Sequence, residues 1–320
     1  MKAPVHRLRA CGHTLELGER PWLMGIVNAS PDSFSDAGLH ESFQERVQLA
    51  RGLLDAGADI IDVGGESAST GRPPVQVQEE IERVVPLVEA LTRELGAVVS
   101  VDTYKPEVAR AAIAAGASIV NDVSGLRDAE LADVCAETGA ALVLMHTLAA
   151  PRERLQDADL YEDVTGEVIG FLRERMTLAL SLGVGREQLI VDPGPDFAKT
   201  PAQTIRLLAE VGRLHELGLP LLMAISRKDF IGALTNRPPR ARLAGTLAAL
   251  AHGVEHGAQI FRIHDVSAAA DFLSVHAALA READVGRDLA LSEEIRYERH
   301  GGQEPVSGGQ FADQVDRPSR

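Results

Sequence analysis

Short apolar runs that stop abruptly at polar residues recur along this chain, with helical patterns between them. The first run, Trp22 to Val27, breaks at Asn28 into a polar stretch that Pro31 and Gly38 keep irregular. Phe43, Val47, Ala50 and Leu54 share one face of a predicted helix over 43–56. Ala58 to Val63 reads as a second strand and runs into Gly64, Gly65 and Glu66. Helix Val77–Leu95 carries Ile81, Val84, Val88 and Leu91 at helical spacing. Val98–Val101 ends at Asp102, and Pro106 opens a helix to Ala115. Ile119-Val120 leads to Asn121 and Asp122, Ala141–Met145 to His146, and Leu189–Val191 to Asp192. Leu221–Ile225 leads to Ser226-Arg227-Lys228, and Gln259–Phe261 to Arg262 and His264. Further helices are predicted near 160–182, 201–217, 241–256 and 267–281.

The eight runs do not alternate, which is the pattern of strands buried on both faces of a parallel sheet. Eight strand–helix units in roughly 260 residues predict an α/β fold of the (β/α)8 TIM-barrel type, as one domain over 1–284. An open doubly wound sheet is the rival, but it has fewer strands and a Gly-rich first turn that this chain lacks. Residues 5–20 are expected to pair as a small hairpin around Gly12 and cap the barrel bottom, the alternative being a frayed tail. After about 285 apolar residues thin out and glycines and mixed charges take over, which predicts a mobile tail over 285–320.

A net charge of −15 argues against general affinity for nucleic acid or anionic membrane, without excluding a local cationic pocket. Two cysteines, Cys11 and Cys135, make neither a disulfide framework nor a metal cluster. The N-terminal stretch has no signal-like apolar run, and no span reaches 18 apolar residues. A cytoplasmic protein is expected.

In a (β/α)8 barrel, chemistry sits at the carboxyl ends of the strands. Those ends supply Asn28, Asp62 with Glu66, Asp102, Asn121 with Asp122, His146, Asp192, Lys228, and Arg262 with His264. Any one Asp or Asn here also suits a helix cap, but a polar group on all eight strands exceeds what capping explains. Asp102, Asn121, Asp192 and Lys228 suit a flat nitrogen heterocycle with amino and keto groups. Arg262 and His264 follow the last strand, a frequent phosphate position in this fold. Asn28 suits the same phosphate or a Mg2+ ion, which takes few protein oxygens when phosphates supply the rest.

These residues resemble the dihydropteroate synthase family over about 14–282. The resemblance rests on Asn28 to Asp36, Asp62-Val63-Gly64-Gly65-Glu66-Ser67, Ser100 to Thr103, Asn121-Asp122-Val123 and Leu144-Met145-His146. It continues through Asp192-Pro193-Gly194, Ser226-Arg227-Lys228 and Arg262-Ile263-His264-Asp265. It implies an enzyme of folate synthesis, a homodimer packed through barrel helices. Such an enzyme condenses 6-hydroxymethyl-7,8-dihydropterin pyrophosphate with para-aminobenzoate. Carried over, Asp102, Asn121, Met145, Asp192 and Lys228 would hold the pterin, with Lys228, Asp102 and Asp192 catalytic. Asn28, Arg262 and His264 would hold pyrophosphate, with Mg2+ on Asn28. Ser69, Arg72 and Phe197 are the expected para-aminobenzoate contacts.

The acceptor side departs from the family pattern. Glu66 to Pro74 replaces the usual Glu-Ser-Thr-Arg-Pro-Gly, and Pro195-Asp196-Phe197-Ala198-Lys199 replaces Ile-Gly-Phe-Gly-Lys. Asp229 follows Lys228 where many members carry serine or arginine. Asp196 and Asp229 would repel a bound carboxylate if they pointed at it; Asp229 alternatively sits favourably at a helix N-terminus. A pterin-phosphate-binding paralogue without this activity or with another acceptor, or a pterin-binding methyltransferase-type barrel, are the alternatives left open.

Overall fold

The absence of alternation in the eight runs has a direct cause. Each barrel strand buries both of its faces, one against the surrounding helices and one inside the barrel. The computed structural model describes residues 4–29, 43–66, 74–281, 283 and 285–292. The barrel strands are β3 (Trp22–Asn28), β4 (Ile60–Gly64), β5 (Val98–Asp102), β6 (Ile119–Asp122), β7 (Ala141–Met145), β8 (Leu189–Asp192), β9 (Leu222–Met223) and β10 (Ile260–Ile263). They pair in parallel in the order β8-β7-β6-β5-β4-β3-β10-β9. A parallel bridge from Val191 to Leu221 closes the ring. This is the expected (β/α)8 barrel.

The helices are α1 (Phe43–Asp55), α2 (Val77–Leu95), α3 (Pro106–Ala114), α4 (Glu130–Thr138), α5 (Val164–Ser181), α6 (Pro201–Ala209), α7 (Asp229–Thr235), α8 (Leu243–Glu255) and α9 (Val266–Leu279). The helix expected over 201–217 stops at Ala209 and continues as 3-10 turns over Val211–Leu217. Val211, Leu214 and Leu217 are buried at a spacing of three, the 3-10 period, and Gly212 weakens an α-helix there. The strand expected over 221–225 pairs only at Leu222 and Met223, because the chain then leaves the ladder and turns at Ser226-Arg227.

The N-terminal hairpin is present, with β1 (His6–Ala10) antiparallel to β2 (His13–Leu17). Its Leu8, Ala10, Leu15 and Leu17 are buried against Met24, Ile60, Ile119, Ala141, Ile190 and Ile260. Those six lie in the first halves of their strands, so the hairpin plugs the end of the barrel opposite the carboxyl ends. Arg7, Arg9 and Glu16 on its other face stay exposed.

The chain forms two compact units, 1–276 and 277–320. The first holds the barrel. The described part of the second comprises the last turn of α9 and short turns up to 292. Most of the tail expected from 285 lies outside the described residues.

Candidate active site

A strand's side chains alternate, so only every second strand-end residue faces the barrel interior. Leu23 and Val27 of β3 face the helices, whereas Met24 lies in the inner cluster and Ile26 and Asn28 line a pocket. The same parity turns Asp102, Asn121, Met145, Asp192, Arg262 and His264 inward. They line a cavity of about 530 Å³ at the carboxyl end, together with Phe197 and Lys228 from the loops after β8 and β9. Nine of the residues assigned from the sequence to a substrate or the metal thus meet in one pocket, and Glu66 of the strand-end ring lines it too. Ser69 and Arg72 lie outside the described residues.

Parity also removes two members of the expected ring. Asp122 faces away from the pocket, and its carboxylate accepts the N–H groups of Ser124 (2.7 Å) and Leu126 (2.5 Å). His146 faces the helix side against Phe171, with ring centroids 4.8 Å apart. Its Nδ1 lies 2.7 Å from Nζ of Lys199, a fully buried lysine whose Nζ also donates to the carbonyls of Gly194 and Phe197. Burial pushes the His146 imidazole down to about 2, with Lys199 adding to the effect. Burial also lowers Lys199 to about 7, partly offset by Asp192. Gly194 makes this packing possible. Its φ is +64°, and a Cβ there would meet the His146 carbonyl oxygen at 2.1 Å.

Inside the pocket, Arg262 links the two halves that the sequence separates. Its Nε donates to Asp62 Oδ2 at 2.6 Å and its Nη2 to Asp102 Oδ2 at 2.9 Å. Asp62, fully buried, also accepts from Asn121 Nδ2 at 3.2 Å, while its Oδ1 has no hydrogen-bond partner among the described residues. Burial raises the Asp102 carboxyl well above its ordinary range despite Arg262. Burial likewise raises Asp192 to about 6, although the Gly194 N–H at 2.7 Å favours its ionised form. Burial opposes charge on Arg262, but Asp62 and Asp102 outweigh it and hold its pKa above the usual value. His264 is pushed down to about 3 by burial, with Arg227 and Arg262 contributing, and its Nδ1 lies 3.0 Å from Ser226 Oγ. Neutral His264 beside charged Arg262 presents hydrogen-bonding groups to an anion, while burial lowers the pKa of the neighbouring Lys228, partly offset by Asp196 and Asp192.

The acceptor-side departures have structural partners. Asp196 Oδ2 accepts the N–H of Asp229 at 2.5 Å, and Asp229 Oδ1 accepts from Arg242 Nη1 at 3.0 Å. Both residues border the pocket, so the structure leaves the expected repulsion of a bound carboxylate open, while the alternative reading of Asp229 at a helix N-terminus is the one seen. Asp229 begins α7, where a negative charge is favoured. Lys228 Nζ sits 4.3 Å from the centroid of the Phe197 ring. Sequence reasoning missed Arg152, whose Nη1 donates to Glu66 Oε1 at 2.6 Å, and Lys105, whose Nζ donates to Glu66 Oε2 at 2.6 Å. Arg152 follows no strand directly and lies 86 positions from Glu66, so no local pattern marks it. Glu66 and Arg152 line the pocket, and the Glu66 pairings with Arg152 and Lys105 join the segments that follow β4, β5 and β7.

A closed parallel barrel with a deep polar pocket at its carboxyl end is the architecture of a (β/α)8-barrel enzyme. Residues 24–264 match a family model described as "Pterin binding enzyme". The dihydropteroate synthase of Escherichia coli K12 is 40% identical over 292 residues, covering 91% of this chain and all of that protein. That of Synechocystis is 42% identical over 84% of this chain and 94% of its own. The structure of the Xanthomonas albilineans dihydropteroate synthase with 4-aminobenzoic acid superposes with a TM-score of 0.79. It is 43% identical and covers 87% of this chain and 99% of that one. The chain belongs to the dihydropteroate synthase family and is accordingly a transferase.

Proposed function

We propose that this enzyme joins 6-hydroxymethyl-7,8-dihydropterin pyrophosphate to para-aminobenzoate, giving 7,8-dihydropteroate and pyrophosphate in folate biosynthesis. The observation that carries the reading is one pocket with a carboxylate and amide side, Asp102, Asn121 and Asp192, and a cationic side, Arg262 and Lys228. A structure of the Xanthomonas albilineans relative holds 7,8-dihydropteroate itself. On this reading the carboxylates accept from pterin ring N–H and amino groups, Lys228 and Asn121 donate to its carbonyl and ring nitrogen, and Met145 packs against the ring. Arg262, His264 and Asn28 receive the pyrophosphate. The bond between the pterin methylene carbon and the pyrophosphate oxygen breaks first, and its electron pair leaves with the pyrophosphate. The arylamine nitrogen then attacks the methylene cation and loses a proton to water. Buried carboxylates stabilise the cation electrostatically. Phe197 borders the arylamine, and Ser69 and Arg72, outside the described residues, are the further contacts assigned to it on this reading.

The pocket suits a Mg2+ ion held jointly with substrate. At Gly64, where a Cβ would make only ordinary contacts of 3.6–3.8 Å, two side-chain oxygens converge, Asn28 Oδ1 and Asp102 Oδ2, the second of which also accepts from Arg262. Among the described residues no three His, Cys, Asp or Glu side chains form a metal site, so the ion would need phosphate oxygens as well. Held by Asn28, it would neutralise charge on the leaving group. A homodimer packed through barrel helices fits the apolar α8 and α9, which bury few of their residues. Among the described residues no helix is long and apolar enough to cross a membrane, and both cysteines are free, which supports a cytoplasmic location.

The test supplies the pterin pyrophosphate, Mg2+ and radiolabelled para-aminobenzoate, and follows labelled dihydropteroate and pyrophosphate. Both products are expected. Pyrophosphate without labelled product would replace para-aminobenzoate with another acceptor; pterin binding without either product would make the chain a non-synthesising paralogue.

A further inference from the structure

The turn that presents Lys228 is held from two sides. Arg242 Nη1 donates to the carbonyls of Arg227 (2.8 Å) and Lys228 (3.0 Å). From the other side comes Asp196, on the loop after β8, whose Oδ2 accepts the N–H of Asp229 at 2.5 Å and of Phe230 at 3.4 Å. These are the first two N–H groups of α7, which have no carbonyl partner within the helix. The residue at the N-cap position, Lys228, makes no capping bond with its own side chain. A residue 33 positions before Asp229 therefore performs the cap.

Two further features bind Asp196 to this task. Its φ is +65°, in the left-handed region, and its N–H donates to Thr204 Oγ1 at 3.0 Å. Aspartate is one of the few non-glycine residues that tolerate this conformation. The next residue, Phe197, has the Lys228 ammonium over its ring. Asp196, Phe197, Lys228 and Asp229 thus close a circuit of chain, cation–π contact and hydrogen bond at the pocket edge. The second Asp196 oxygen, Oδ1, is buried without a hydrogen-bond partner among the described residues.

We propose that Asp196 is a positioning residue for the condensation: by capping α7 in trans it fixes the backbone of Lys228 and places the ammonium over Phe197, facing the pterin. This deepens the reaction proposed above and rests on it for its kinetic arm. The residue does not touch the reacting atoms; it acts through Lys228.

The test compares Asp196→Gly, which accepts the positive φ but removes the cap, with Asp196→Asn, which accepts the φ and keeps an acceptor oxygen. Loss of an N-cap predicts that Asp196→Gly lowers kcat/KM for dihydropterin pyrophosphate roughly tenfold, while Asp196→Asn stays within about threefold of the parent. Amide hydrogen exchange at Asp229 and Phe230 should accelerate by a similar factor in the glycine variant and be largely restored in the asparagine variant. A lower Tm with kcat/KM within twofold of the parent would reduce Asp196 to a structural cap and overturn the proposal. Equal impairment of both variants would also overturn it, since the acceptor oxygen would then not matter. If the parent chain itself shows no turnover, the assigned reaction fails. The positioning role is then decided by amide exchange and by the Kd for hydroxymethyl-dihydropterin; no change in either overturns it.

Discussion

Arg262 shows how a single side chain can belong to both halves of a pocket. Its guanidinium is already held by Asp62 and Asp102, at 2.6 and 2.9 Å, so a phosphate arriving there meets an oriented cation. Arg262→Ala is expected to weaken the pyrophosphate form of the pterin by tenfold or more relative to free hydroxymethyl-dihydropterin, as measured by calorimetry. Equal losses for both ligands would show that Arg262 serves the carboxylates alone. Lys199 supports a second expectation. Its pKa is about 7 in the folded chain, against about 10.4 for an unfolded lysine. Between those values the unfolded state binds more protons, so this residue makes stability rise with pH, by up to about 1.4 kcal/mol per pH unit. Lys199→Met should flatten the dependence of the urea midpoint over pH 7.5–9.5. A slope unchanged from the parent chain would mean that the amine is hydrated.

At the scale of elements, the hairpin and the catalytic loops divide the two ends of the barrel. The hairpin's apolar face, Leu8, Ala10, Leu15 and Leu17, replaces solvent at the amino ends of the strands. Leu17→Ala should cost about 2–5 kcal/mol in urea unfolding, as for other fully buried leucines, with kcat little altered because the pocket lies at the opposite end. A cost below about 1 kcal/mol would mean the plug contributes little to the core. Thr200 and Gln203 form a reciprocal capping box at the start of α6, just after the loop carrying Asp196, Phe197 and Lys199. That box fixes where the loop ends, so its geometry is set from both sides.

For the whole molecule, several helices leave apolar side chains exposed, α7, α8 and α9 among them. Leu234, Leu243 and Val275 are exposed by 69%, 37% and 60%, on α7, α8 and α9. If these faces meet a second copy, sedimentation should give the mass of two chains at micromolar concentration. Leu243→Glu with Val275→Glu should then shift it towards one chain. A monomer in the parent protein would remove the homodimer from the proposal.

The apolar runs and their polar ends were enough to reveal the barrel, because a strand buried on both faces cannot alternate and a loop at its carboxyl end has to be polar. They were also enough to bring Asn28, Asp102, Asn121, Asp192, Lys228, Arg262 and His264 together, since strand order and parallel pairing put all their ends on one rim. The parity that sends Asn121 inward and Asp122 outward was present in the sequence as the two-residue period from Ile119, yet it stays ambiguous until the inner face is known. Only the tertiary structure decided the rest. Ion pairs such as Arg262 with Asp62, or Arg152 with Glu66, join residues 200 and 86 positions apart, and the partner of each charge depends on loop paths that no periodicity encodes. The same holds for Asp196 and Asp229. Read along the chain they are two added negative charges; in the fold one caps a helix and the other pairs with Arg242, because the helix N-terminus and the guanidinium lie where those side chains reach.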